Sequence, residues 1–172
     1  MNVLITGRTG SGKTTLIRRL VETLGWRFSG YCTLPYQIGG EQRGFYLHSF
    51  SDIPGQLNDL PISVLQAPKT SVRVGETFRS LGTKCLQQAL YSPSDCIILD
   101  EIGRFEQSET DFLDTIRAVL DQKCRPVLAA IKKEPIPFIL EIMARQDCFH
   151  IDIDIMDREK AYQMLLSMFK IS

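Results

Sequence analysis

Short apolar runs alternate along this chain with stretches whose apolar residues recur every three or four positions, a pattern that predicts buried strands separated by helices. Val3-Leu4-Ile5-Thr6 is the first run, and Leu16, Ile17, Leu20, Val21 and Leu24 follow it at helical spacing. Cys96-Ile97-Ile98-Leu99 and Val127-Leu128-Ala129-Ala130-Ile131 are unbroken in the way of strands covered on both faces of a parallel sheet. Between them, Ser108 and Asp111 stand like a capping box ahead of Phe112, Leu113, Ile116, Val119 and Leu120. Further helices are predicted from Glu76 to the Ser92-Pro93 stop, over residues 136 to 145, and at the end, where Ala161, Met164, Leu165 and Met168 share a face. A short strand near Phe149 to Ile153 precedes that last helix. The sum is an α/β fold, a doubly wound, mostly parallel sheet with helices on both faces.

One region departs from this rhythm. Arg27 to Thr33 reads as a strand ending at Pro35, and a Gly39-Gly40 turn leads into Arg43-Gly44-Phe45-Tyr46-Leu47, so a small β-hairpin insertion is expected. Residues 51 to 61 have the Pro, Gly, Asn and Asp content of a loop, and Ile62 to Leu65 could form another strand. With no repeat or low-complexity segment, the 172 residues read as a single domain.

Chemistry enters at the end of the first strand. Gly7-Arg8-Thr9-Gly10-Ser11-Gly12-Lys13-Thr14 fits G-x-x-x-x-G-K-[ST] at every fixed position, with a strand before it and a helix after it. Polyphosphate oxygens must be met by several backbone N–H groups in one concavity, and glycines permit the bend and the close approach. Residues 7 to 15, Thr15 included, are therefore the expected nucleotide-binding segment. Lys13 would reach the β- and γ-phosphates and the Thr14 hydroxyl would ligate Mg²⁺, while Arg8 and Thr9 would offer mainly backbone N–H groups.

Asp100 and Glu101 close the strand that starts at Cys96. Hydrolysis of a nucleoside triphosphate needs a carboxylate to help hold the metal and a second group to place the water. Asp100 suits the first role and Glu101 the second. An arginine can stabilise charge developing on the transferred group, which makes Arg104 a catalytic candidate and Arg43 and Arg73 candidates for phosphate contact.

These segments resemble the THEP1-type nucleoside-triphosphatases, a group that includes the cancer-related nucleoside-triphosphatases. The resemblance is carried by the phosphate loop, Arg43-Gly44-Phe45, Arg73-Val74-Gly75 and Leu99-Asp100-Glu101-Ile102-Gly103-Arg104, and it spans residues 1 to about 131. It implies a small three-layer P-loop domain that hydrolyses ATP, GTP and other nucleoside triphosphates with Mg²⁺, with low turnover and little base selectivity. The chain departs from that group at Thr33-Leu34-Pro35-Tyr36-Gln37, where the group has Thr-x-Glu-x-Arg. It departs again at Phe105, where a Met is usual, and at Ala130-Ile131, where a polar residue is frequent.

Twenty basic residues balance twenty acidic ones, which gives no reason to expect nucleic acid or membrane as the main partner. Five scattered cysteines without a C-x-x-C pair, an opening strand in place of an apolar leader, and no run of about 20 apolar residues predict a soluble, cytoplasmic protein with reduced thiols. His48 and His150 have no neighbours at metal-ligand spacing, and Tyr31, Tyr36, Phe45 and Tyr46 could stack on a base but read first as hairpin and core packing. Two rivals share the phosphate loop. A small nucleotide or metabolite kinase would add an arginine-rich lid, which residues 105 to 150 do not supply. A nucleotide-dependent switch or assembly factor would use the same residues to time a partner interaction.

Overall fold

The computed structural model describes residues 1–67 and 70–170. In chain order the elements are β1 (Asn2–Gly7), α1 (Lys13–Leu24), β2 (Phe28–Ile38), β3 (Glu41–Ser49), β4 (Asp59–Ala67) and β5 (Thr70–Arg73). Next come α2 (Gly75–Thr77), a π-helical turn over Phe78–Gly82, α3 (Thr83–Tyr91), β6 (Cys96–Ile102) and α4 (Thr110–Asp121). β7 (Val127–Lys132), α5 (Pro137–Met143), β8 (Cys148–Asp152) and α6 (Arg158–Lys170) complete the fold. The chain divides into two compact units, one of residues 1–28, 94–103 and 123–172 and one of residues 29–93 and 104–122.

The first unit is a parallel sheet in the order β6-β7-β1-β8. Every residue of β1 is buried, as are Cys96 to Asp100 on β6 and Val127 to Ile131 on β7, because helical crossovers cover both faces of such strands. β8 is only partly covered, with Cys148 and Ile151 buried, Phe149 and Asp152 half-buried and His150 exposed, as suits an edge. α1 buries Leu16, Ile17, Leu20 and Val21, and Tyr162 of α6 donates its hydroxyl to Thr23 of α1 at 2.8 Å.

The second unit is antiparallel. The Gly39-Gly40 turn, with φ of +61° and +83°, joins β2 to β3 as a two-residue hairpin whose twist requires positive φ at both positions. The expected hairpin grows into a four-stranded sheet, β5-β4-β3-β2. β2 does not stop at Pro35 but pairs it with Phe45, since a proline removes only one donor from a ladder. The expected loop ends at Asn58, and Pro61 lies within β4. Tyr31, Phe78 and Phe112 are fully buried, with ring centroids 5.7 and 5.2 Å apart at the Tyr31–Phe112 and Phe78–Phe112 contacts.

Ser108 does not cap α4. Its hydroxyl accepts a hydrogen bond from Arg73, and Glu109 stands at the cap position. The Glu109 carboxylate is buried between Arg73 and Arg79, the latter at 2.8 Å. All five cysteines are free, and burial pushes the Cys85 thiol up to about 11 and Cys96 up to about 12, so both pack as small apolar groups. His48 meets Asp59 at 2.6 Å, and His150 meets the Arg145 carbonyl at 3.0 Å. Among the described residues, no helix is long and apolar enough to cross a membrane.

Candidate active site

β1 delivers the loop and α1 carries it away. Gly10 and Gly12 hold φ of +77° and +99°, a left-handed backbone that only glycine adopts freely, and these turns bend the chain back so that Lys13 opens the helix. Lys13 is buried. Its Nζ donates to the carbonyls of Gly7 at 2.8 Å and Arg8 at 3.0 Å, so the ammonium is held across the mouth of the loop. Ser11 Oγ is also buried and, among the described residues, has no hydrogen-bond partner. A buried hydroxyl without a partner is costly, and a phosphate oxygen is the kind of acceptor that would satisfy it.

Asp100 accepts a hydrogen bond from the Thr14 hydroxyl at 2.9 Å. Glu101 Oε1 lies 3.7 Å from Lys13 Nζ. Consecutive side chains of a regular strand point to opposite faces, so both acids could not serve one site without a break in the ladder. The break is present: Asp100 pairs with Ala130, Ile102 pairs with Ile131, and Glu101 is the additional residue of a bulge. The Asp100–Glu101 peptide is cis.

Three contributors were not apparent in the sequence. Lys132, at the end of β7, places Nζ 3.2 Å from Glu101 Oε2, so the carboxylate is held between two lysines. Gly103 leaves room for that side chain, because a Cβ there would stand 2.9 Å from Lys132 Cδ. Asp154, beyond β8, accepts the Arg8 backbone N–H at 3.0 and 3.1 Å, an amide the sequence assigned to phosphate. Lys133 and that amide hold the Asp154 carboxyl below its usual range. Arg158 lies against Gly12, with Nη1 2.7 Å from where a Cβ would stand.

Gly7 to Thr15, Asp100 and Glu101 are thus assembled in the first unit. Arg43, Arg73 and Arg104 belong to the second unit, where Arg43 pairs with Glu41 at 2.9 Å, Arg73 pairs with Glu109, and Arg104 lies over the Phe105 ring at 5.6 Å. Tyr36 and Tyr46 line a hollow of about 410 Å³ with Asp59, Pro61 and Val64, and Phe45 packs on Phe105 with centroids 6.3 Å apart.

Burial pushes the Asp100 carboxyl up to about 6, with the Thr14 hydrogen bond pulling it down and the Glu101 charge adding to the rise. A carboxyl that holds its proton more tightly folded than unfolded adds stability below its ordinary value of 3.8, and that contribution is lost as pH climbs through 6. Compared with Asp100→Asn, which does not titrate, the protein in EDTA is expected to lose about 2 kcal/mol of stability between about pH 4 and pH 8. Urea melts of both proteins across that range measure it, and parallel pH profiles would contradict it.

The family model described as NTPase matches residues 2–166. The chain belongs to the NTPase family. Its relatives in sequence include the protein named nucleoside-triphosphatase THEP1 from Thermotoga sp. (strain RQ2), 32% identical over 174 residues that cover 100% of this chain and 97% of the relative. A cancer-related nucleoside-triphosphatase homolog from Bos taurus is 32% identical over 161 residues, covering 85% of this chain and 84% of that one. The crystal structure of THEP1 from Aquifex aeolicus superposes with a TM-score of 0.76 at 25% identity, over 98% of each chain. Membership in the NTPase family therefore extends past the motifs that end near residue 131, through β8 and into α6. The α/β architecture of that family is the one built here.

Proposed function

We propose that this NTPase-family chain hydrolyses the β–γ bond of nucleoside triphosphates by direct attack of water, with Mg²⁺ at Thr14 and Asp100. The observation that carries the reading is the pair of contacts at one strand end, Thr14 to Asp100 at 2.9 Å and Lys13 to Glu101 at 3.7 Å. A hydroxyl and a single carboxylate suit Mg²⁺, which takes few protein ligands and completes its shell with phosphate oxygens and water. Bound there, the ion would offset negative charge on the β- and γ-phosphate oxygens.

The chain's own groups divide the remaining work. Lys13 exchanges the Gly7 and Arg8 carbonyls for phosphate oxygens, and the loop amides and the Ser11 hydroxyl take others. Glu101 orients the water and accepts its proton as the water oxygen bonds to the γ-phosphorus. The bridging oxygen leaves with the diphosphate, and inorganic phosphate is the second product. Lys132 keeps the Glu101 carboxylate from turning into solvent.

Phosphate release from ATP, GTP, CTP and UTP, each with Mg²⁺ and with EDTA, tests this. Release from all four without any acceptor, and its loss in EDTA, is the expected result. Release that requires an added acceptor would make the protein a kinase instead.

A further inference from the structure

We infer that the base and ribose of the substrate lodge in a cavity between α1 and the first turn of α6, with the Arg158 guanidinium as the platform on which the base stacks. This rests on the reading of Gly7 to Thr15 as the triphosphate cradle and goes on to place the other half of the nucleotide.

Strand order gives the direction. The acids and Lys132 come from the ends of β6 and β7, on one side of β1, whereas β8 and the α6 that follows it lie on the other. A triphosphate crossing the loop with its γ end toward Glu101 therefore points its α end toward α6. A cavity of about 300 Å³ opens there, reached from Gly12 and Thr15, with Leu16 as an apolar wall. That volume is at the lower end of the range for small-ligand sites, about 300–1,000 Å³.

The chemistry of the lining identifies what kind of recognition is possible. Arg19 is already committed, in an ion pair with Glu159 and 3.7 Å over the Tyr162 ring. Asp157 is committed too, accepting the backbone N–H groups of Glu159 at 2.9 Å and Lys160 at 3.2 Å. Arg158 alone keeps an uncommitted charge, with no hydrogen bond or ion pair among the described residues. A planar guanidinium stacks on any base, because every base has a π-face. Thr15 presents its hydroxyl to the same cavity, and stacking on Arg158, which does not depend on which base is present, is the main contact the seat offers.

The test compares binding of ATP, GTP, CTP and UTP with binding of inorganic tripolyphosphate, which keeps the phosphates and lacks the nucleoside. Arg158 is exposed, so its replacement should leave the fold intact. Arg158→Ala is expected to weaken all four nucleotides about tenfold and tripolyphosphate by less than about twofold. Arg158→Lys should recover little of the loss, since an ammonium has the charge without the plane. Equal weakening of tripolyphosphate would make Arg158 a phosphate ligand and overturn the inference. Unchanged nucleotide affinity would overturn it by placing the nucleoside elsewhere, and full recovery by lysine would overturn the stacking. If the natural protein binds neither nucleotide nor tripolyphosphate, the cradle reading falls and takes this seat with it. If tripolyphosphate binds and Arg158→Ala is silent, only the seat falls.

Discussion

Lys13→Ala is expected to raise the nucleotide Kd by about 10²-fold or more and to reduce phosphate release to background. A charge-assisted hydrogen bond contributes about 1.5–3 kcal/mol, and the Lys13 ammonium is held inside the loop, so losing two such contacts to phosphate is sufficient for that change. The same substitution acts on the empty protein. The Gly7 and Arg8 carbonyls, now 2.8 and 3.0 Å from Nζ, lose that donor, although Arg8 keeps the Ser11 N–H at 3.1 Å, and Glu101 is left with Lys132 among the described residues. A stability loss of about 1–3 kcal/mol should accompany the binding defect. Titration with a fluorescent nucleotide reads the first effect and a urea melt the second. Unchanged affinity would remove Lys13 from the phosphate site.

Glu101→Gln separates chemistry from binding. The amide keeps the size of the side chain and loses its capacity to take a proton, so turnover should fall about 10²-fold or more. Affinity should hold or improve, because the positive charges of Lys13 and Lys132, now 3.7 and 3.2 Å from the carboxylate oxygens, would both be left for the triphosphate. Single-turnover rates alongside an equilibrium Kd distinguish this from a general loss of function. A variant that hydrolyses within a few-fold of the natural protein would exclude Glu101 as the group that serves the water.

What could be read from the residues was whatever is written in local spacing. The glycines of the loop, the buried run of β6 and the acids closing it are each set within about ten residues, because tight turns and two-faced burial constrain neighbouring positions directly. Lys132, Asp154 and Arg158 could not be read that way. Lys132 reaches Glu101 from 31 positions away, Asp154 and Arg158 reach the loop from 146, and only the parallel order of strands brings them in. Lys132 did leave one trace, since it ends β7 while Asp100 and Glu101 stand near the end of β6, and the ends of adjacent parallel strands share a rim. The second unit was harder to foresee because Pro35 and Pro61 resemble stops, although each sits in a strand. Ser108 misled for a related reason: its hydroxyl suits a helix cap, but Arg73 lies within reach and takes it.

The extra residue in β6 has a consequence for how such a protein could lose its activity. The strands match in step up to Asp100 opposite Ala130 and resume in step at Ile102 opposite Ile131, so excising the codon for Glu101 would knit the two flanks into an uninterrupted ribbon. The group assigned to the water is thus spliced into the architecture at a seam. A lineage could discard hydrolysis in one deletion and retain a folded nucleotide binder, whereas regaining it would require an insertion at that single seam.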